Sequence, residues 1–358
     1  FIRESEQVFV RQIKTLGNTK TKDIVIRREI TVAPGEVFDG VKTKISENRL
    51  KNLGLFEDVQ IYPDPETHDK YRDLIIQIQE GRTGELSFGA GFSSVENFMG
   101  FIELAQNNFD LFNWPYFSGD AQKLKFRAEY GEVRQNYSLS FIEPWFLDKR
   151  LSFGIDLYNS STSYIDAVYD EERKGGALSL AWPVGKFSRM SARYGYEEAE
   201  ISNVDDNASE LIKNEEGLRT ISKIGLSITR DTRDSYFYPT QGMQTTVLGE
   251  IAGIGGNTDY YKTALSHYSF FPFFSGHVLM FKFKTALIKE YGDSDDVPLF
   301  DRYFIGGPTS IRGFKYRDIG PHDKNDDPIG GKFYAYTTLE YTIPVFERLG
   351  IAAFFDVG

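Results

Sequence analysis

The sequence predicts a mainly β protein: a membrane-spanning antiparallel β-barrel preceded by one small α+β domain. Three observations predict it. From Gly84 onward, apolar residues alternate with polar ones in segments of about ten residues, as in strands with lipid on one face and water on the other. No apolar run reaches the roughly 18 residues a membrane helix requires, and the nearest, Tyr268 to Phe281, is interrupted by Pro272, Gly276 and His277. Aromatic residues are abundant, with 30 Phe, 21 Tyr and 3 Trp in 358 residues.

The elements follow in order. The opening Phe1, then Arg3, Glu4 and Glu6, has neither the n-region nor the h-region of a signal peptide. Residues 1–7 therefore read as a linker or the tail of a preceding domain, in a chain excised from something longer. Residues 8–81 read as a small β-α-α-β-β domain. Val8, Val10, Gln12 and Ile13 suggest a strand, and Gly17-Asn18 a turn. Thr21 is the expected cap of a helix carrying Ile24, Val25, Arg28 and Ile30, ended by Pro34-Gly35. A second helix is expected from about Asp39 to Leu53, with Val41, Ile45, Leu50 and Leu53 on one face and Gly54 as its stop. Two strands follow, Phe56–Tyr62 and Asp73–Gln79, across a turn rich in Pro and Asp.

Beyond Gly84 the alternation is explicit. Phe126, Ala128 and Tyr130 interleave with Lys125, Arg127 and Glu129; Ile224, Leu226 and Ile228 with Lys223, Gly225 and Ser227. About thirteen such strands are legible, near 84–93, 98–107, 121–131, 134–143, 150–160, 174–184, 187–200, 219–230, 241–253, 258–271, 276–288, 331–342 and 349–358. An odd number is unusual for a bacterial single-chain barrel, so the barrel reads as C-terminally incomplete over 84–358, with about 16 strands in full. A large soluble β-sandwich also alternates. Against it stand the strand length, the Lys, Arg and Glu on the polar face, and short turns such as Gly131-Glu132-Val133 and Leu147-Asp148-Lys149 alternating with long acidic loops. Those loops are Ile165–Lys174, Asn203–Gly217, Glu290–Val297 and Pro321–Pro328. Short turns at one end and long loops at the other are the barrel arrangement.

Composition narrows the chemistry. With 41 basic against 52 acidic residues, net charge −11, a broad nucleic-acid surface is excluded. Absence of cysteine removes disulfides and thiolate metal sites. Gly249, Gly253, Gly255 and Gly256 lack the βαβ context of a phosphate loop and read as strand glycines. His68, His267, His277 and His322 lack ligand spacing, and the carboxylates Asp293, Asp295, Asp296, Asp323, Asp326 and Asp327 read as solvated loops rather than a cation site. No nucleophile–base–acid set is present, so no enzyme, cofactor or metal is expected. Trp114, Tyr116, Trp145 and Trp182, near strand ends, suit a membrane interface, whereas Tyr62 belongs to the small domain.

Specific motifs then carry a resemblance. Val8-Phe9-Val10-Arg11-Gln12-Ile13, Leu16-Gly17-Asn18-Thr19, Arg27-Arg28-Glu29 and Asn52-Leu53-Gly54-Leu55-Phe56 look like a POTRA domain. Arg230-Asp231-Thr232-Arg233-Asp234 with Pro239-Thr240-Gln241-Gly242 resembles a turn between central barrel strands of the BamA-like outer-membrane assembly family. Gly306-Gly307 followed by Ile311, Arg312, Gly313 and Phe314 resembles the signature of that family's inward-folded loop, here about 289–330. Phe355-Asp356-Val357-Gly358 resembles its Phe-x-Asp-x-Gly strand, except that Phe immediately precedes Asp.

The resemblance implies that Arg312 anchors the loop to two inward acids, Glu340 and Asp356, a task suited to a permanently charged, bidentate group. Gly313 would allow the tight turn and Phe314 would pack the tip against the wall. It implies a lateral seam at the first strand, Glu85, Leu86, Ser87, Phe88, Gly89, Ala90 and Gly91, where the glycines weaken packing. An opened edge would capture substrate strands by β-augmentation, and a short apolar band would thin the bilayer. Phe56, Glu57, Asp58, Val59, Gln60, Ile61 and Tyr62 would form a POTRA edge strand facing substrates or accessory lipoproteins. The implied partners are unfolded outer-membrane β-barrel proteins, accessory lipoproteins, outer-membrane lipid and lipopolysaccharide; the implied location is the outer membrane of a Gram-negative-type bacterium, with the POTRA domain in the periplasm. A translocation pore for two-partner secretion, an autotransporter-assembly paralogue and a passive porin are the competing readings.

Overall fold

A computed structural model describes residues 7–65, 70–93, 97–163, 169–346 and 349–358. The reading of residues 1–6 as a tail, and His68, lie outside the described residues. Two compact units divide the chain: Phe1–Gly89 with Ile102–Arg127 and Leu139–Pro144, and Ala90–Phe101 with Ala128–Ser138 and Trp145–Gly358.

The first unit opens with β1 (Phe9–Leu16), α1 (Asp23–Arg27), α2 (Gly40–Asn52), β2 (Phe56–Pro63) and β3 (Tyr71–Glu80), the expected β-α-α-β-β order. Its sheet runs β1-β3-β2, with β1 parallel and β2 antiparallel to the central strand. Ile26, Leu50, Val59, Ile76 and Ile78 form one buried cluster, and Val10, Val32 and Leu74 a second. Burial of each such side chain is worth about 1.5–3 kcal/mol, enough to hold a small domain together.

Two local expectations change. Thr21 does not cap α1: Lys22 occupies that position without a side-chain cap, and α1 is only five residues long. Thr21 is instead buried, its N–H donating to Glu80 and its hydroxyl accepting from Asn108. α2 begins as expected at Asp39, whose carboxylate accepts from the N–H groups of Val41 and Lys42, and Gly54 follows its end at φ +69°. Yet Val41 is 71% exposed and Ile45 also faces water. The helix buries Thr43, Ser46 and Leu50, because Ser46 accepts from the Thr31 N–H and fits against that loop. Tertiary hydrogen bonding overrides the first half of the apolar stripe, while Leu50 and Leu53 of the same stripe reach the core.

Buried Asp73, on β3, gathers Arg11 through two bonds of 2.7 and 2.9 Å, Gln12 at 2.8 Å and Lys14 at 2.7 Å. The Arg11 guanidinium, ahead of Gln12 and Lys14, holds its carboxyl well below the usual carboxylate range. A depressed folded-state value contributes stability that is complete above the unfolded value of about 3.9 and is lost as pH falls below it. Amide exchange in β1 and β3, corrected for intrinsic rates, is therefore expected to accelerate several-fold between pH 5 and pH 3. In Asp73→Asn that acceleration should disappear; an unchanged acid response would show that another group controls it.

The remaining strands are β4 (Gly84–Ser93), β5 (Asn97–Phe109), β6 (Gln122–Gly131), β7 (Arg134–Glu143), β8 (Ser152–Ser163), β9 (Asp170–Pro183), β10 (Ser188–Ser202), β11 (Gly217–Asp231), β12 (Gly242–Gly256), β13 (Tyr260–Pro272), β14 (Val278–Glu290), β15 (Phe333–Phe346) and β16 (Leu349–Val357). They form one 13-stranded sheet in sequence order. Each lies within a few residues of its expected position. No described helix is long and apolar enough to cross a membrane, a fact that says nothing of strands.

Side-chain exposure distinguishes a barrel from a sandwich. On β11, Ile224, Leu226 and Ile228 are exposed, while Lys223, Gly225 and Ser227 between them are shielded. The shielded face is polar and internally bonded, with Ser191 to Ser227 at 2.7 Å and Thr229 to Thr246 at 2.9 Å. A soluble sandwich would bury the apolar set; a lipid-facing sheet turns it outward.

The expected asymmetry of turns needs correction. Consecutive connections in an antiparallel meander alternate between ends. Residues 132–133, between β6 and β7, therefore fall at the same end as the long connections 203–216 and 291–332, and opposite the turn containing Leu147. Short turns are not confined to one end.

Candidate functional site

The connection from β14 to β15, residues 291–332, contains the loop signature, and its Arg312 meets both expected acids. Arg312 donates from Nε to Asp356 Oδ2 at 2.8 Å and from Nη2 to Asp356 Oδ1 at 2.9 Å, while Nη1 reaches Glu340 Oε2 at 2.6 Å. Its backbone N–H also donates to Asp356 at 3.0 Å. The guanidinium lies 3.4 Å from the ring centre of Phe354. Sheet register explains the convergence: Glu340 pairs with Phe354 and Thr338 with Asp356, so these residues share one face. Phe354 was not anticipated, although it sits two residues before Asp356, the spacing of neighbours on one face of a strand.

Backbone geometry around Arg312 is equally specific. Gly306 adopts φ +109°, and a Cβ there would stand 2.4 Å from the Lys315 carbonyl oxygen, so a side chain is excluded. Gly313 turns the chain at φ +89°. Phe314 does not pack the loop tip against the wall, because it is 58% exposed. Ile311 is the buried residue of the motif. The tight turn at Gly313 carries the next side chain away from the surface that Ile311 and Arg312 occupy.

A second attachment escaped the sequence. Fully buried Glu197 on β10 accepts from Arg173 of β9 at 2.7 Å, Lys223 of β11 at 2.7 Å and the Tyr158 hydroxyl of β8 at 2.5 Å. Arg173 continues to the loop, donating to Asp301 Oδ1 and the Phe300 carbonyl, each at 3.3 Å. The only trace in the sequence is charge on the polar face of three adjacent strands. Register alone brings Glu197 beside its partners.

The long loops are also less solvated than their composition implies. Ala208 and Ile212, next to and within the short helix α3 (Glu210–Lys213), pack with Val297, Leu299 and Phe300. These residues close over Ile201, Ile221, Tyr260 and Ile288 at the strand ends, forming a second hydrophobic core. Asp296, expected to be simply solvated, pairs with Arg302 at 2.8 Å and Lys332 at 2.7 Å. The spacing Ala208, Leu211, Ile212 and the run Val297-Pro298-Leu299-Phe300 were the available signals.

The Omp85 superfamily domain matches residues 117–358, and POTRA, described as a surface antigen variable number repeat, matches residues 8–81. The chain belongs to the Omp85 superfamily.

Among relatives, the outer membrane protein assembly factor BamA of Nitratidesulfovibrio vulgaris is 33% identical over 100% of this chain and 44% of its own length. That of Neorickettsia risticii is 28% identical over 98% of this chain and 46% of its own. The chain thus spans less than half the length of these relatives. The crystal structure of BamA from Haemophilus ducreyi lacking POTRA domains 1-3 superimposes with a TM-score of 0.79, at 22% identity, over 98% of this chain and 72% of that one. At that identity the likeness speaks for the Omp85 fold alone.

The two strands read as edges, β4 and β2, are both present in this Omp85 chain. β4 ends the 13-stranded sheet, with β5 as its neighbour, and β16 ends the other side beside β15. Leu86, Phe88 and Phe92 on β4 are well exposed. In the POTRA sheet, β2 lies at an edge with β3 as its partner among the described residues.

Proposed function

We propose that this chain supplies the membrane-proximal POTRA domain and barrel region of an outer-membrane protein assembly factor, acting without covalent chemistry. The observation that carries the reading is the loop Arg312 held by both Glu340 and Asp356, in a chain related along its whole length to proteins named as assembly factors. A backbone group left unpaired in hydrocarbon costs several kcal/mol, against a net gain of about 0.5–1.5 kcal/mol for a hydrogen bond made in water. An edge exposed at membrane depth is therefore driven to pair, and an incoming strand can satisfy it by β-augmentation. Glu85, Ser87 and the backbone of Gly89 and Gly91 form the capturing edge. Arg312, bound to Glu340 and Asp356, fixes the loop inside the barrel. The β2 edge, Phe56 to Tyr62, offers the same backbone chemistry in the periplasm to substrates or accessory lipoproteins, and the outer leaflet presents lipopolysaccharide to the exposed apolar faces.

The test exploits the absence of cysteine from these 358 residues, with any cysteine elsewhere in the full-length protein replaced by serine. Single cysteines at Glu85 and Ser87, in otherwise full-length protein, are expected to form disulfides with cysteines in the last strand of an assembling barrel substrate, in one register that shifts in step between the two positions. Absence of such cross-links during active assembly would sink the reading. Cross-links to an exported, non-barrel polypeptide would instead identify a translocation pore.

A further inference from the structure

The POTRA domain is stapled to the β5–β6 connection of the barrel sheet within one compact unit. Lys22 pairs with buried Asp110 at 2.8 Å and Asp120 at 3.2 Å, and its N–H donates to the Gly119 carbonyl at 2.8 Å. Asn108 bridges the same parts, donating to Thr21 Oγ1 and accepting from the Ala121 N–H, each at 2.9 Å. The approach is close enough that a Cβ on Gly119 would stand 2.6 Å from the Lys20 carbonyl oxygen.

Beside this staple opens a cleft of about 750 Å³, lined by Lys20, Arg82, Gln106, Asn113 and Tyr116 among others. Its two cations are unneutralised, for the neighbouring acids are engaged elsewhere. Asp110 and Asp120 serve Lys22, while Glu80 accepts from the backbone N–H groups of Lys20 and Thr21 and the hydroxyl of Thr19. No ion pair involves Lys20 or Arg82 among the described residues.

The turn on the other wall, between β5 and β6, projects aromatic side chains. Phe112 is 85%, Trp114 77% and Tyr116 80% exposed. They are held there, because Asn113 donates to the Ser118 carbonyl at 2.7 Å and Phe117 stacks on Phe109 with Trp114 at its edge. Water disfavours such a cluster; the interface of a bilayer favours it. Two free cations beside it supply a countercharge for anionic headgroups.

We propose that this cleft binds the phosphate of an anionic phospholipid, in the leaflet on the POTRA side, with Lys20 and Arg82 on the phosphate and Phe112 and Trp114 at the acyl boundary. The site is continuous with strands that cross the membrane, which selects lipid over a free anion. The inference rests on the membrane placement proposed above but not on assembly of substrates, so a failed cross-linking test and a failed lipid test are distinguishable.

The experiment measures lipid co-purifying with full-length protein, by native mass spectrometry after transfer from nanodiscs of phosphatidylglycerol and phosphatidylcholine into neutral detergent. Phosphatidylglycerol is expected to be retained preferentially. Lys20→Gln with Arg82→Gln should reduce its affinity about 10- to 30-fold, from roughly 1 kcal/mol per basic residue. A matched pair at the β7–β8 turn, Lys149→Gln with Arg150→Gln, should change it little. Equal retention of both lipids, equal loss in the control pair, or full displacement by millimolar inorganic phosphate would overturn the proposal.

Discussion

Arg312→Ala is expected to lower the levels of other outer-membrane barrel proteins several-fold, while the variant itself still folds and reaches the membrane. Removing the guanidinium leaves Asp356, whose side chain is almost wholly buried, and partly shielded Glu340 without their cation. Breaking one partner of a buried pair commonly costs about 3–5 kcal/mol. Arg312 retains a quarter of its exposure, so about 2–3 kcal/mol is the better expectation, since screening weakens wetter pairs. That is enough to free the loop locally, because Ile311 and the Arg173–Asp301 contact still hold it elsewhere. Arg312→Lys should lie between, keeping charge but losing the two-pronged contact with Asp356. Immunoblots of barrel proteins at matched expression provide the measurement. Normal levels in Arg312→Ala would count strongly against an anchoring role.

Glu197→Ala should have the larger effect on the protein's own stability, about 3–5 kcal/mol, for the same reason applied to a drier site. Arg173 and Lys223 would face one another with no anion between them, and the Tyr158 hydroxyl would lose its acceptor. The disturbance should pass through Arg173 to Asp301 and Phe300, and so to the loop core around Ile212 and Leu299. Thermal unfolding in detergent should report a lower transition in Glu197→Ala that added salt barely changes, as buried pairs are poorly screened. Coupling between Glu197→Ala and Asp301→Asn in a double-mutant cycle should exceed 0.5 kcal/mol, as for residues in one network. An unaltered transition would mean that water already satisfies these groups.

The sequence was most legible where one constraint acts along the chain. Alternation identified the thirteen described strands of the large sheet, because lipid on one face and polar packing on the other impose a period of two over ten or more residues. It was less legible in helices, where Leu50 and Leu53 of the expected face of α2 join the core but Val41 and Ile45 stay exposed, because the Thr31–Ser46 contact rotates the first turns. Thr21 looked like a cap but is consumed by Glu80 and Asn108, which lie 59 and 87 residues away in sequence. Phe314 looked like packing material, yet the turn at Gly313 directs it outward.

By itself, then, the sequence determined the order of elements, the strand positions and the residues of the loop signature, since each is written in local periodicity or a contiguous motif. Only the tertiary structure decided that Phe354 underlies Arg312, that Glu197 gathers two cations and a tyrosine hydroxyl from three other strands, that acidic loops close over an apolar core, and that Lys20 and Arg82 share a cleft. These features arise from strand register and loop return, which join residues tens to more than a hundred positions apart. Nothing in the chemistry of any single segment encodes which distant segment will lie beside it.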